Sequence, residues 1–391
     1  MCPVSATGEF NPRRLVFEVN YEAPFKAAAG VPAWELNENV WWCLTCGLCE
    51  QVCPQAVPIV EIVREARVAI RTYAPGDERF TATETHKNVF PLAFELMLKN
   101  PRTPDKREVL RDLVRRNGWI PLEFSETGDL AYFPGCLNLY EHALHYLDLP
   151  QSRTAYSVVR MLNMANVVPV LANDGCCGHD AYWSGDFDTF LEFAQRNVAA
   201  WKDAGVETIL ASCAEGFHAL STLYPRHLDE FPFEVAWLPD YIHEKGLFEK
   251  VRNHKVACHR RVTIHDPCRA GRLAGGTHYE SIRALLESIP HLELVEMPNN
   301  RDLARCCGVS TFRNCNEYSR ELTRERLLEA ASVGADYVVT TCPKCQSHFQ
   351  CVLQNERETL EGEEGLKLPK VVELFDFLGR VYNYNGLHEP V

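Results

Sequence analysis

Short apolar segments and longer helix-forming segments alternate through residues 129–391 of this chain. Apolar runs such as Leu130–Phe133 and Thr208–Ala211 are typical of buried strands. The segments near 155–165 and 188–204 predict helices, because their apolar residues recur at a helical period. The alternation predicts an α/β fold with mostly parallel sheets and flanking helices. A further helix is predicted near 57–71, so this α/β part is preceded by a small all-helical module.

The α/β pattern occurs twice, and cysteines mark corresponding positions in both copies. Cys136 and Cys268 are 132 positions apart, and the adjacent pair that begins at Cys176 recurs 130 positions later at Cys306. Such regular spacing predicts an internal duplication. The chain therefore divides into a helical module (1–75), a helical connector (76–128), a first repeat (129–250) and a second repeat (251–391).

The chain has 17 cysteines in 391 residues, a density that indicates metal binding. Disulfide scaffolds are usually short secreted chains with an even count, so a disulfide framework is not expected. The net charge of −13 argues against a nucleic-acid partner, and the acidic stretch 355–364 is predicted to be a solvated loop. No apolar run approaches the roughly 18 residues of a membrane span, and no signal-peptide core follows Met1. We therefore expect a cytoplasmic protein with no direct membrane span.

The densest group of cysteines is an N-terminal run with the spacing C-x2-C-x2-C-x3-C-P, formed by Cys43, Cys46, Cys49 and Cys53. This spacing is that of bacterial ferredoxins, and it predicts a [4Fe-4S] cubane cluster. In two-cluster ferredoxins the last cysteine of a run binds the other cluster, which leaves two alternatives for the fourth ligand. Either Cys2 completes the cubane, or Cys53 closes its own loop.

Each repeat carries its own set of cysteines, placed just after strand ends, where parallel sheets hold their sites. The second repeat has five candidate ligands: Cys268, Cys306, Cys307, Cys342 and Cys345. The first repeat has four, with Gly216 in the place of the fifth: Cys136, Cys176, Cys177 and Cys213. A cubane takes one thiolate per iron and zinc takes four ligands, so five thiolates exceed the needs of either. The adjacent pair can reach one centre only if the chain bends, which Gly308 permits.

The second-repeat pattern C-x37-C-C-G-x33-C-x2-C, with its His265-Asp266-Pro267-Cys268 lead, resembles the duplicated CCG domain of heterodisulfide reductase B subunits. That resemblance implies a noncubane [4Fe-4S] cluster on the second repeat, which binds substrate sulfur and splits a disulfide. For the first repeat three alternatives stay open: a cubane or smaller cluster, an empty structural site, or a noncubane-like cluster with a non-cysteine ligand. His179 and His218 are the candidates for that ligand. Residues 1–75 resemble the helical ferredoxin module of heterodisulfide reductase C subunits and of succinate dehydrogenase iron-sulfur subunits.

The resemblance implies an oxidoreductase subunit of a complex, with electrons passing from the cubane to a noncubane cluster that reduces a disulfide or persulfide. The alternative is a non-catalytic relay between a flavoprotein dehydrogenase and a quinone-reactive membrane subunit. The sequence shows no flavin or nicotinamide fingerprint, so the expected partners are other redox subunits of the flavoprotein, ferredoxin or cytochrome b type. Such a partner would also hold the protein at the cytoplasmic membrane face. The incomplete ferredoxin module predicts that another chain completes its surface.

Overall fold

The computed structural model describes residues 11–17, 38–73, 105–252, 256–309 and 317–386. Two parallel sheets with flanking helices follow a helical N-terminal region, which confirms the predicted fold class. Cys2 and residues 76–104 of the predicted helical connector lie outside the described residues.

Helices surround the N-terminal cysteine run. The helix predicted to follow Cys53 is confirmed, and its buried Val63 and Ile70 turn one face toward the rest of the protein. A 3-10 helix, Glu38–Trp42, precedes the run. The α-helices of this region are α1 (Pro12–Phe17), α2 (Leu48–Gln51) and α3 (Ile59–Tyr73), and the connector contributes α4 (Lys106–Asn117).

The first repeat is built on a three-stranded parallel sheet in the order β1 (Leu130–Phe133), β2 (Thr208–Ala211), β3 (Glu234–Trp237). Near this sheet Val170 forms isolated bridges to Ser125 and Ala131. A 3-10 helix (His145–Leu147) and a π-helix (Ala219–Leu223) also belong to this repeat. Its α-helices are α5 (Leu137–Ala143), α6 (Ser152–Met164), α7 (His179–Trp183), α8 (Phe187–Ala204), α9 (Ala214–His218), α10 (Tyr224–His227), α11 (Leu238–Glu244) and α12 (Leu247–Val251).

The second repeat has four parallel strands, β4 (Arg261–Ile264), β5 (Glu293–Leu294), β6 (Tyr337–Thr340) and β7 (Lys370–Glu373), in the spatial order β5-β4-β6-β7. Its helices are α13 (Glu280–Glu287), α14 (Glu317–Ser332), α15 (Pro343–Glu364) and α16 (Leu374–Val381), with 3-10 turns at Arg272–Ala274 and Arg301–Leu303.

The prediction of a solvated loop at 355–364 is wrong, because these residues form the last turns of α15. Arg357 pairs with Glu361 one helical turn later at 3.0 Å, and its guanidinium also donates to the Leu368 carbonyl. Pairs at this spacing stabilise helices, so a charge-rich composition is compatible with the observed helix.

Alternate strand residues face different apolar cores, as the two-residue period of a strand requires. Leu210 of β2 and Val339 of β6 pack in one core that both repeats share. Val338, the neighbour of Val339, faces a second core that also contains Leu44 and Val63 of the N-terminal region. The N-terminal cysteine run is therefore held against the second repeat by a common core.

Candidate metal centres

Two cysteines of each repeat lie at the carboxyl ends of two adjacent parallel strands. In the first repeat Cys136 follows β1 and Cys213 follows β2, and in the second repeat Cys268 follows β4 and Cys342 follows β6. Because the carboxyl ends of parallel strands meet at one edge of the sheet, each repeat gathers its thiols at that edge.

The five cysteines of the second repeat lie together. The Cys307 thiol contacts the thiols of Cys306 and Cys345, and the Cys345 thiol also contacts that of Cys342. Burial would raise the pKa of Cys307, but hydrogen bonds from the Cys306 and Cys345 thiols lower it to about 6. The thiolate is the metal-binding form, so this residue is ready to act as a ligand.

The adjacent cysteines of both repeats converge because the following glycine turns the chain. Gly308 has φ +88°, and a Cβ there would lie 2.2 Å from the Ser319 carbonyl oxygen. Gly178 is its counterpart in the first repeat, with φ +74°. The Thr323 hydroxyl donates to the Cys307 carbonyl at 2.8 Å and fixes the second-repeat loop from α14. The bend expected at Gly308 is present.

A histidine also faces the second-repeat thiols. One ring nitrogen of His265 lies within 4.8 Å of the Cys307 and Cys345 sulfur atoms. Arg326 Nε donates to His265 Nδ1 at 3.2 Å, so the ring hydrogen is on Nε2. Burial lowers the pKa of His265 to about 3, which keeps the ring neutral. Its place in the His-Asp-Pro-Cys lead was the available sequence signal for this residue.

The four cysteines of the first repeat also lie together. The Cys136 and Cys176 sulfur atoms are 3.8 Å apart, and the Cys176 thiol also contacts that of Cys177. Hydrogen bonds from Cys136 and Cys177 lower the pKa of Cys176 well below its ordinary value. Cys213 is buried beside Gly135, where a Cβ would lie 3.5 Å from its sulfur atom. The four-thiol set expected from the sequence is assembled.

A phenylalanine fills the place of the missing fifth ligand. A Cβ at Gly216 would lie 2.9 Å from Cε1 of Phe133, closer than real Cβ contacts allow. Phe133 and His265 stand at equivalent positions, each three residues before the first cysteine of its repeat. The second repeat thus has a histidine beside Cys345, whereas the first has a phenylalanine ring over Gly216.

The two histidines considered as substitute ligands have other surroundings. The His179 Nδ1 lies 3.1 Å from an Asp180 carboxylate oxygen and 3.6 Å from a Glu215 oxygen. The His218 ring stacks against Trp183 at 6.0 Å between ring centres. The contacts described for both rings are with these groups rather than with the four thiols of the first repeat.

The N-terminal cysteine run docks on the second-repeat site. The Cys46 thiol contacts the Cys306 thiol, and this contact and burial raise the pKa of Cys46 well above its ordinary value. Arg272 Nε donates to the Cys46 carbonyl at 2.6 Å, and Arg269 donates to the Thr45 carbonyl at 2.7 Å. Nothing in the spacing of the sequence indicates that these two arginines hold this loop.

The other cysteines of the run differ in exposure. Cys43 is buried, and its carbonyl accepts a hydrogen bond from Arg67 at 2.6 Å, whereas Cys49 and Cys53 are partly exposed. Backbone N–H groups, that of Val57 foremost, lower the pKa of Cys53. The choice between Cys2 and Cys53 as fourth ligand stays open, because Cys2 lies outside the described residues.

The donor sets fit iron-sulfur clusters. Sulfur is the cluster ligand, and each repeat buries a convergent group of thiols, with one thiol of each group having a lowered pKa. The assignment of individual cysteines to particular clusters stays a prediction. Among the described residues, no helix combines the length and the apolar composition needed to cross a membrane.

Comparison with known proteins agrees with this geometry. The family model of the CCG cysteine-rich domain matches residues 130–220 and 262–350, one match in each repeat. The D subunit of dihydromethanophenazine:CoB–CoM heterodisulfide reductase of Methanosarcina mazei is 27% identical over 349 residues, which cover 87% of this chain and 76% of that protein.

Two further relatives are iron-sulfur or redox proteins. The B subunit of the fumarate reductase (CoM/CoB) of Methanothermobacter marburgensis is 27% identical, over 93% of this chain and 65% of that protein. A probable iron-sulfur-binding oxidoreductase of Bacillus subtilis is 26% identical, over 86% of this chain and 46% of that protein. These homologues and the two cysteine-rich domains support an iron-sulfur redox role. The chain contains two CCG cysteine-rich domains and is homologous over most of its length to the D subunit of heterodisulfide reductase.

Proposed function

We propose that this protein is an iron-sulfur oxidoreductase subunit in which electrons pass from a [4Fe-4S] cubane to a noncubane [4Fe-4S] cluster that reduces a disulfide or persulfide. Cys43, Cys46 and Cys49 would hold the cubane, and the five cysteines of the second repeat would hold the noncubane cluster. The observation that carries the proposal is the contact between the Cys46 and Cys306 thiols, which joins the two ligand sets without an intervening residue.

The second repeat supplies the surroundings that such chemistry needs. A bound cluster would offer an iron site for substrate sulfur and electrons for cleavage of the S–S bond. The chain itself contributes five thiols, the neutral His265 ring beside two of them, and a dry setting, since Cys306, Cys307 and Cys342 are each 3% exposed. Arg269 and Arg272 keep the N-terminal loop against these thiols and so fix the path of electron entry.

The relatives favour a disulfide substrate and a multi-subunit setting. The name of the Methanosarcina protein states that it is a subunit of a CoB–CoM heterodisulfide reductase, and the Methanothermobacter protein is a subunit of a fumarate reductase. By analogy, a flavoprotein, ferredoxin-type or cytochrome b subunit would exchange electrons with this chain. A membrane-bound partner would place it at the cytoplasmic membrane face.

A relay without catalysis is the second candidate function. It is favoured by the first repeat, where Phe133 occupies the space of the fifth ligand and leaves one complete site instead of two. In that case the chain would connect a flavoprotein dehydrogenase to a quinone-reactive membrane subunit.

Paramagnetic resonance of the anaerobically purified, oxidised protein distinguishes the two functions. Catalysis at the second repeat predicts a signal that changes when a thiol is added, persists in Cys213→Ala and is lost in Cys306→Ala. The matched pair removes one thiol from each repeat. A signal that added thiol leaves unchanged contradicts catalysis and supports the relay. Iron analysis tests both proposals, since two four-iron clusters require about eight irons per chain.

A further inference from the structure

A buried group of charged side chains lies between the two repeats, and we call it the inter-repeat cluster: Lys344, Asp180 and Glu215. The Lys344 side chain is 1% exposed, and its ammonium group contacts the Asp180 carboxylate and lies 2.9 Å from a Glu215 oxygen. Lys344 belongs to the second repeat, between Cys342 and Cys345, whereas both carboxylates belong to the first repeat. A positive charge of the second repeat therefore pairs with carboxylates of the first repeat across their interface.

The cluster follows the internal duplication. Glu215 and Lys344 occupy equivalent positions, each two residues after the cysteine at the end of β2 or β6. The two loops meet directly, since the Ala214 N–H donates to the Thr341 carbonyl at 3.2 Å. The Cys213 thiol of the first repeat also lies near the Cys342 thiol of the second. A residue in one repeat is thus placed to act on the site of the other.

The cation of this cluster is the lysine itself. His179, Asp180 and Glu215 have the geometry of a small metal site, with ligand atoms within 4.8 Å of one another. The Lys344 ammonium, however, already contacts both carboxylates. The two carboxylates stabilise the charged form of this buried ammonium group. The group is therefore a buried ion network, and its ammonium belongs to the residue that stands between Cys342 and Cys345 in the chain.

We propose that Asp180 and Glu215 of the first repeat position and partly neutralise Lys344, and so set the reduction potential of the cluster held by the second repeat. This inference rests on the proposed function, because it needs a cluster at Cys268, Cys306, Cys307, Cys342 and Cys345. Reduction adds negative charge to a thiolate-bound cluster, and a nearby cation stabilises that state. Charge interactions are strong in such a buried setting, so removing one charge moves the potential in a defined direction.

The test is a redox titration of the second-repeat paramagnetic signal in four proteins. Lys344→Met removes a positive charge and is expected to shift the midpoint potential to more negative values than in the wild type. Asp180→Asn removes a negative charge from the first repeat and is expected to shift it to more positive values. The double variant Lys344→Met/Asp180→Asn keeps the net charge and is expected to return the potential toward the wild-type value.

A matched control uses another buried lysine–aspartate pair. Lys106 contacts Asp174 beside the first-repeat site, with side chains 10% and 3% exposed. Lys106→Met is expected to leave the second-repeat potential unchanged. If Lys344→Met binds no cluster, the potential can still be measured in Asp180→Asn and Glu215→Gln, because both substitutions lie outside the second repeat. Each removes a negative charge and is expected to make the potential more positive.

The outcomes separate this inference from the proposed function. If the paramagnetic signal is the same in the wild type and in Cys306→Ala, the second repeat holds no cluster, and the proposed function is overturned. A wild-type signal that depends on Cys306, with the same potential in all cluster variants, overturns the inference alone. The latter result, together with lower melting temperatures of the variants, would assign the inter-repeat cluster a purely structural role.

Discussion

The two repeats have the same fold but different surroundings at their thiols. Each has parallel strands that end in cysteines and a glycine that turns the chain after the adjacent pair. At the last ligand position, however, the second repeat has Cys345 beside His265, and the first has Gly216 beneath Phe133. Glycine thus stands in the place of the cysteine, and the phenylalanine that stands in the place of the histidine fills the space. The fold accommodates loss of a ligand when a neighbour takes over its volume.

A second difference follows the first cysteine of each repeat. Arg269 and Arg272 of the second repeat bind the carbonyls of the N-terminal cysteine loop. The equivalent positions of the first repeat are the buried Leu137 and Tyr140. The second repeat therefore binds the N-terminal loop through two arginines, whereas the first repeat has buried side chains at the same positions.

The largest expected effect is a difference in activity loss between variants of the two adjacent cysteine pairs. Cys307→Ala is expected to lower disulfide reductase activity by about 100-fold or more, because it removes a ligand of the complete site. The matched variant Cys177→Ala removes the equivalent thiol of the first repeat and should cost less than about 10-fold. Activity with an artificial electron donor, normalised to cubane content, is the measurement. Equal losses in both variants would show that the repeats contribute alike.

The residues that end the last strand of the two sheets differ, and only the one in the second repeat is expected to make stability depend on pH. Glu373 ends β7 and accepts from the N–H groups of Phe375 and Asp376, whereas the equivalent Trp237 ends β3. Burial raises the pKa of Glu373 from 4.5 to about 8. Since the folded state holds this proton more tightly, stability falls as pH rises from about 4.5 to about 8, by about 1.4 kcal/mol per pH unit.

Glu373→Gln should remove that contribution, so its stability relative to wild type should increase across this range and level off above it. Urea unfolding of the apoprotein at several pH values is the measurement. Trp237→Phe is the control in the first repeat, and it should lower stability by a constant amount at every pH. A pH-independent difference between Glu373→Gln and wild type would contradict the assignment.

Replacing the glycine of the incomplete site should be destabilising. Gly216→Cys places a Cβ 2.9 Å from Phe133 and is expected to cost about 2 kcal/mol of apoprotein stability through overcrowding. The double variant Phe133→His/Gly216→Cys recreates the second-repeat pair and should recover most of this loss. Thermal unfolding measures the effect, and iron content shows whether the fifth thiol adds metal. Unchanged stability of Gly216→Cys would mean that Phe133 does not block the position.

The smallest effect concerns the docking of the N-terminal loop. Arg272→Met removes hydrogen bonds to the carbonyls of Cys46, Asp302 and Ala304, and is expected to cost about 1 kcal/mol of stability. It should also slow reduction of the second-repeat cluster in stopped-flow experiments. Tyr140→Phe, at the equivalent position of the first repeat, should leave that rate unchanged. A rate unaffected by Arg272→Met would show that the arginine is not needed to hold the electron path.

The sequence predicted those features that depend on local spacing. The strands Leu130–Phe133 and Thr208–Ala211 have the predicted bounds, because each is an apolar run followed by a break. The cysteine groups were also predictable, since the ends of adjacent parallel strands meet. The short strands β3 and β7 were not predicted, because four residues with no motif give little signal.

Contacts between distant parts of the chain could not be predicted in this way. Arg269 reaches Thr45 across 224 positions, and Lys344 reaches Asp180 across 164. Neither partner is indicated by spacing, because these contacts depend on how the three regions pack. For the same reason the effect of Phe133 on Gly216 was missed, although the absence of the fifth cysteine was evident.

The close fit between α3 and the first repeat limits how the chain could be recombined. A Cβ at Gly185 would lie 2.7 Å from the Arg67 backbone, and the Arg67 side chain donates to the carbonyls of Cys43 and Trp183. A chimaera that exchanges residues 1–75 for those of a relative would thus have to keep the arginine and the glycine as a matched set. The N-terminal module and the repeats are expected to diverge as one unit rather than as exchangeable parts.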